Sequence, residues 1–390
     1  MSWYIKQVDD GKGYGLFAKQ DITCGDVILE EEPLVCSQFS WNKLYKYRAC
    51  DYCLKSLETA EEMCRRLAQN PSINLPHPEC CKAKPETNVH CLNCEEVYCS
   101  MACREKAYNE YHKTLCPSSD QCDKSALEVL DETWRGFHFP PETASIQMIM
   151  RILARIKQED KKEEFIAAIE RFCHISTNNV EQIAHKLLGE QFSNQISVLR
   201  DQLKSALFDE SVQHWFTTDG FKNIFALLGT NQQGIGSSAL SVWVLNCDEL
   251  NLQESDRLDL DSCIDDLYQE LNNVAGTFLN CEGAGLYVTQ SKCNHSCDPN
   301  AEVSYLYNNH RLTLKATKDL NQDEEITISY LSECLQSRGK ITRQEFLREN
   351  YLFNCQCNKC MTLSEIDDVT SDEDYDEKDD DDNNNNLLEN

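Results

Sequence analysis

Residues Asn294–Asn300 read Asn-His-Ser-Cys-Asp-Pro-Asn, and Glu324–Tyr330 read Glu-Glu-Ile-Thr-Ile-Ser-Tyr. The chain around them alternates in hydrophobicity. Ala301, Val303 and Tyr305 stand against Leu312, Leu314 and Ala316 across a turn at Asn308-Asn309, and Ile326 and Ile328 lead to Tyr330. An apolar period of two around an asparagine turn predicts half-buried strands joined as a hairpin. At the other end, residues 13–35 carry short apolar runs at Leu16, Phe17, Val27, Ile28, Leu29 and Val35, broken by Gly25 and Pro33, which again predicts short strands and tight turns. Between the two, from about 125 to 275, the period changes. Ile146, Ile149, Met150, Leu153 and Ile156 recur at helical spacing, as do Ile196, Leu199, Leu203 and Leu207. Such stripes are buried helix faces rather than cofactor boxes. Strands at both ends of a helical insertion predict one α+β domain whose sheet is assembled from distant pieces. Gly234-Ile235-Gly236-Ser237 lacks the Gly-Lys-Ser/Thr ending of a phosphate loop and is assigned to a turn.

Composition narrows the setting. With 390 residues the chain can bury a large core. No signal-like apolar start is present and no apolar run approaches the ~20 residues needed to cross a bilayer, so no membrane partner is expected. In a reducing compartment, cytoplasmic or nuclear, the 23 cysteines read as thiols and metal ligands rather than disulfides. The net charge of −29 argues against sequence-specific nucleic-acid binding through phosphate contacts. Much of that charge sits at one end: residues 365–390 hold thirteen acidic residues and one lysine, a composition that cannot form a core and complements a basic partner.

The cysteines cluster in close pairs: Cys50-x2-Cys53, Cys91-x2-Cys94, Cys99-x3-Cys103 and His112-x3-Cys116. Eight ligand-type residues make two tetrahedral zinc sites, and a site closed by four protein ligands is structural because no position is left for water or substrate. Cys64, His77, Cys80 and Cys81 lie in the 37-residue gap after Cys53 at irregular spacing and are read as free thiols and a histidine. Cys355-x-Cys357-x2-Cys360 offers three sulfurs more, so a fourth ligand must come from elsewhere, and Cys297 is the candidate.

These segments together resemble a known family. The paired cysteines are similar to the MYND zinc finger, which implies that Cys50, Cys53, Cys99 and Cys103 hold one ion and Cys91, Cys94, His112 and Cys116 the other; the gap after Cys53 is longer than that family usually has. Cys297 with the three C-terminal cysteines resembles a post-SET zinc site, giving three zinc ions in all. Lys12-Gly13-Tyr14-Gly15-Leu16, Asn294–Cys297 and Glu324–Tyr330 match the SET domain in order. With the MYND-like insertion between the first and second, the chain resembles the SMYD family of protein-lysine methyltransferases, in particular its divergent fifth branch, which lacks the C-terminal helical repeats and ends in an acidic tail. The resemblance implies a β-clip SET core of short strands divided as follows: 1–49, N-terminal SET part; 50–116, MYND-type module; 117–280, helical insertion; 281–334, catalytic SET part; 335–363, post-SET segment; 364–390, disordered acidic tail.

It also implies the chemistry. S-adenosylmethionine would be held by Gly13 and Gly15, where main chain approaches the cofactor without a Cβ, and by Asn294 and His295. Tyr14, also placed at the cofactor, stands where the family commonly has asparagine, which implies an altered side-chain contact with the backbone contacts kept. Lys12 either neutralises the methionine carboxylate or is a solvated surface lysine. Phe353 matches an aromatic beside the adenine and Tyr351 a wall of the lysine channel, unless both are core aromatics. Tyr330 matches the catalytic tyrosine, whose hydroxyl orients the methyl and the lysine nitrogen. The expected substrate is a histone, ribosomal or other basic protein, and the expected state a monomer. The rival reading is a non-catalytic adaptor in transcriptional regulation whose MYND-type module docks a peptide; the presence of Asn294, His295 and Tyr330 together favours the enzyme.

Overall fold

The computed structural model describes residues 1–8, 13–117, 124–137, 145–172 and 193–362. Lys12 and the acidic tail lie outside these residues. The predicted strands form, and they join as the alternation requires. Trp3–Val8 pairs antiparallel with Gly13–Ala18, which takes Glu325–Ile328 on its other edge with Leu16 opposite Ile326. Glu325–Ile328 then runs parallel to Asn294–His295, setting Thr327 opposite Asn294 and Ile328 opposite His295. The three distant motifs thus become neighbours in one four-stranded sheet.

A second sheet orders Ala301–Ser304, Leu312–Ala316 and Val27–Glu31, all antiparallel. Asn308 sits in the left-handed region at φ 49°, the conformation that favours asparagine in a tight turn. Leu16, Ala18, Ile28, Leu314, Ile326 and Ile328 are buried between these sheets as one core.

The third sheet corrects the sequence reading. Gly234–Ser237 is not a turn: Gln232–Ser237 is a strand paired with Cys281–Leu286, which pairs in turn with Val35–Gln38. One apolar residue, Ile235, lies between the glycines and is buried, so there was no alternation to read. The central strand is packed so closely that a Cβ on Gly283 would stand 2.3 Å from the Ser37 carbonyl oxygen. The segment is a strand because of a partner that follows it by some fifty residues.

The helical stripes bury as expected. Helix Ile146–Gln158 places Ile146, Ile149, Leu153 and Ile156 in a core shared with Leu199, Leu203 and Leu207 of helix Ser193–Leu207 and with Phe225 of helix Thr218–Asn231. Arg151 leaves that face for the cysteine-rich region. It is buried, reaches Asp51 Oδ1 at 2.5 Å and the carbonyls of Cys36 and Asp51 at 2.7 and 2.8 Å, and stacks 4.3 Å from the Tyr111 ring.

The long gap after Cys53 is not slack. Helix Ala60–Leu67, begun by a reciprocal Thr59–Glu62 capping box, buries Met63, Cys64 and Leu67 against Trp243 of helix Ala239–Asp248 and Leu260, Ile264 and Leu267 of helix Glu254–Ala275. Trp243 Nε1 donates to the carbonyls of Pro76 and His77. Cys64, Cys80 and Cys81 belong to this apolar packing and to no metal-type cluster among the described residues. Among the described residues no helix is long and apolar enough to cross a membrane.

Candidate active site and metal centres

Twelve residues singled out by spacing come together in three groups of four: Cys50, Cys53, Cys99 and Cys103; Cys91, Cys94, His112 and Cys116; Cys297, Cys355, Cys357 and Cys360. In each group the ligand atoms lie within 4.8 Å of one another. Local structure explains the presentation. Leu54 at φ 59° turns the chain so that its N–H donates to the Cys50 carbonyl, bringing Cys50 and Cys53 to one side. Ser100 caps helix Met101–Ala107 by accepting from the Cys103 N–H, and a π-helical turn over Tyr108–His112 buries the His112 ring.

A tetrahedral ion with bonds of ~2.3 Å sets sulfur–sulfur edges of roughly 3.8 Å. Here Cys53–Cys99 and Cys99–Cys103 are each 3.6 Å apart and Cys297–Cys360 3.5 Å, while His112 Nε2 lies 3.2 Å from Cys91 Sγ and 3.5 Å from Cys94 Sγ. The donors therefore fit zinc. Their proton affinities agree: hydrogen bonds from Cys103, Cys50 and Cys53 draw the Cys99 thiol far below its ordinary range, while burial pushes Cys50 up. Such thiols share protons that a divalent ion displaces.

The C-terminal group holds a residue that spacing did not reveal. Arg343 of helix Lys340–Tyr351 is 2 % exposed, and its Nη2 lies 3.8 Å from Cys360 Sγ. A buried four-thiolate zinc site carries a formal charge of about −2, and a guanidinium beside it offsets part of the cost of burying that charge. Arg343 shares a buried face with Leu347, so the sequence signal was an arginine at an apolar position, meaningful only once the thiolates are placed.

Tyr330 follows directly on the strand that joins the motifs. Its hydroxyl donates to the Cys293 carbonyl at 2.8 Å, and its N–H donates to His295 Nδ1 at 3.0 Å. Tyr351 and Phe353 close around it, with ring centroids 4.8 and 6.4 Å from that of Tyr330, and His295 packs 5.4 Å away. Burial pushes the Tyr351 phenol up to about 12, so it stays neutral. Asn294 Nδ2 donates to Glu325 Oε1 at 2.7 Å and approaches the Tyr14 carbonyl at 3.4 Å, binding the first motif to the second. Gly13 has φ 76°, which favours glycine, and a Cβ on Gly15 would stand 2.8–2.9 Å from the side chains of Phe17, Val8 and Glu325, so the first is set by the backbone and the second by the side chains packed over it. The Tyr14 side chain is exposed. Both ring nitrogens of His295 already have partners, the second being Cys297 Sγ at 3.3 Å from Nε2. What the sequence reading missed here was the Cys293 carbonyl and Glu325, which hold Tyr330 and Asn294.

Comparison with known proteins gives a consistent result. The SET domain family matches residues 13–331. The chain is 48 % identical over 372 residues to a zebrafish protein named protein-lysine N-trimethyltransferase SMYD5, covering 95 % of this chain and 89 % of the relative. It is 48 % identical over 370 residues to the human protein of the same name, covering 95 % and 88 %. A shorter match, 40 % over 92 residues, is to human histone-lysine N-methyltransferase SMYD3, covering 23 % of this chain and 20 % of that protein.

Proposed function

The chain belongs to the SMYD family of SET-domain protein-lysine methyltransferases, and from that premise we propose that it transfers methyl groups from S-adenosylmethionine to a lysine of a histone, ribosomal or other basic protein, at Tyr330. The observation that carries the reading is the seating of Tyr330: held at its hydroxyl by Cys293 and at its N–H by His295, and walled by Tyr351 and Phe353.

An aminium lysine has no lone pair, so the side chain must lose its proton and then be aligned. The aromatic walls favour the neutral amine by withdrawing water, and their faces attract the ammonium on entry. The Tyr330 hydroxyl donates its hydrogen bond to the Cys293 carbonyl, so toward the lysine nitrogen its oxygen would act as an acceptor. The donor, when bound, supplies an electrophilic sulfonium methyl. Gly13 to Gly15, the main chain at Asn294 and His295, and Phe353 are the residues that would hold it. Zinc in the three groups would be structural, since each is closed by four protein ligands.

The acidic tail would draw a basic substrate by attraction that fades over ~8 Å at physiological salt, and the setting would be cytoplasmic or nuclear. The names of the relatives extend the proposed product to trimethyllysine. The test is incubation of the protein with labelled S-adenosylmethionine and extract of cells lacking it, then mass spectrometry of the labelled lysine. Label on a basic protein that disappears with Tyr330→Phe supports the reading. Failure of the wild type to bind S-adenosylmethionine in calorimetry overturns it and leaves the peptide-docking adaptor.

A further inference from the structure

The ring of His295 lies between the C-terminal cysteine group and Tyr330. Its Nδ1 accepts the Tyr330 N–H at 3.0 Å, so the ring proton must sit on Nε2. Nε2 lies 3.3 Å from Cys297 Sγ and therefore donates to it. The ring is clasped by Tyr330 and Phe353, with centroids 5.4 and 6.0 Å away. The backbone on either side is fixed as well: His295 pairs with Ile328, and the Ser296 N–H donates to the Ile328 carbonyl at 2.9 Å. A single imidazole thus joins a sulfur of the metal group to the main chain of the tyrosine.

We propose that His295 is a positioning residue, coupling metal at the C-terminal cysteine group to the placement of Tyr330. The proposal rests on the reading of Tyr330 as the catalytic tyrosine and of the cysteines as zinc ligands. The physical basis is position. Metal held by Cys297, Cys355, Cys357 and Cys360 would fix the Cys297 sulfur, and the 3.3 Å contact from that sulfur to Nε2 sets the angle of the ring and so the place at which Nδ1 meets the Tyr330 N–H. Sulfurs not drawn to a common centre would leave the ring free to turn, and residues 329–331 would shift with it. A displacement of ~1 Å costs roughly 100-fold in turnover, so a fraction of that is enough for a loss of about 10-fold. Zinc at the C-terminal group would thus bear on the reaction without approaching the substrate.

Two variants of the full-length protein separate the two bonds. His295→Asn keeps an acceptor near the Nδ1 position but cannot reach Cys297. His295→Gln places an amide near the Nε2 position and gives up the acceptor. Release of zinc to a chromogenic chelator is followed in each, with Cys357→Ser marking the phase that belongs to the C-terminal group. His295→Asn should release that one ion about 10-fold faster or more, the usual effect of losing a ligand's outer partner, while His295→Gln releases it at nearly the wild-type rate. In parallel, protein labelled with 15N-tyrosine reports the Tyr330 amide, assigned by its loss in Tyr330→Phe. Exchange of zinc for cadmium should move this resonance in the wild type and leave it in place in His295→Asn. Turnover should fall about 10-fold in His295→Asn with donor affinity within about 2-fold, and Cys357→Ser should add little to it, because both remove the same link. Equal zinc release from His295→Asn and wild type, or the same amide shift in both, overturns the proposal. If wild-type protein methylates nothing, the functional reading fails, while the chelator and amide measurements still decide whether His295 makes this link.

Discussion

Removing one oxygen from Tyr330 separates chemistry from fold. In Tyr330→Phe the ring keeps its contacts with His295, Tyr351 and Phe353, and the N–H keeps its bond to His295 Nδ1. What is lost is the 2.8 Å bond to the Cys293 carbonyl, in a residue only 1 % exposed. Leaving a buried acceptor without its donor costs about 1–3 kcal/mol. That should lower the melting temperature by a few degrees without changing metal content. The effect on rate should be larger than the effect on stability, since a positioned group that acts mostly in the transition state is worth about 2–4 kcal/mol, or roughly two to three orders of magnitude in kcat. S-adenosylmethionine affinity should stay within a few-fold, because the hydroxyl is committed to Cys293 and the proposed donor contacts come from other residues. The assays are methyl transfer at saturating donor, calorimetry of donor binding and differential scanning calorimetry. A wild-type rate would show that Tyr330 does not orient the amine. A loss of donor binding as large as the loss of rate would show that the hydroxyl serves the cofactor instead.

Elemental analysis of protein purified without chelator should read near three zinc per chain, and a value near two would remove one of the three four-ligand groups. Arg343→Met should release the C-terminal zinc first on chelator titration and destabilise by about 3–5 kcal/mol, because it leaves thiolate charge buried without its cation; unchanged release kinetics would refute the charge argument. Arg151→Met should cost a similar ~3–5 kcal/mol by stranding Asp51, and adding Asp51→Asn should restore part of it in thermal unfolding, whereas strict additivity would mean that the pair is not coupled. Burial holds the Glu282 carboxyl above its ordinary value of 4.5. The stability this group contributes is complete below about 4.5 and is lost as pH rises through its folded value, so Glu282→Gln should raise the melting temperature at pH 8 and not at pH 4. The same difference at both values would exclude ionisation as the cause.

What could be read from the chain in advance was what short-range chemistry determines. Close cysteine pairs need only a turn to present two sulfurs, so all twelve ligand-type residues were identifiable from spacing and from the pairing the family resemblance implied, and the structure gathers them in those groups. The 3.6-residue stripes of Ile146–Gln158 and Ser193–Leu207, and the Asn308 turn, were equally local. The features that escaped depend on partners far away in sequence. Gln232–Ser237 is a strand only because Cys281–Leu286 lies beside it. The stretch after Cys53 looked like an interruption, yet Ala60–Leu67 packs against helices nearly two hundred residues later and so fixes the module to the helical insertion. Arg343 is an arginine at a buried helix position, and its charge has a purpose only beside the Cys360 sulfur that the fold brings to it. His295 is the instructive case, since its motif announced it as part of a cofactor site and the structure gives its ring two other partners, one a metal-type cysteine and one the backbone of Tyr330. A motif conserves positions in sequence, whereas the work of each side chain is set by what the fold brings to it. For this residue the fold brings a sulfur and an amide, which leaves its main chain for the proposed methyl donor.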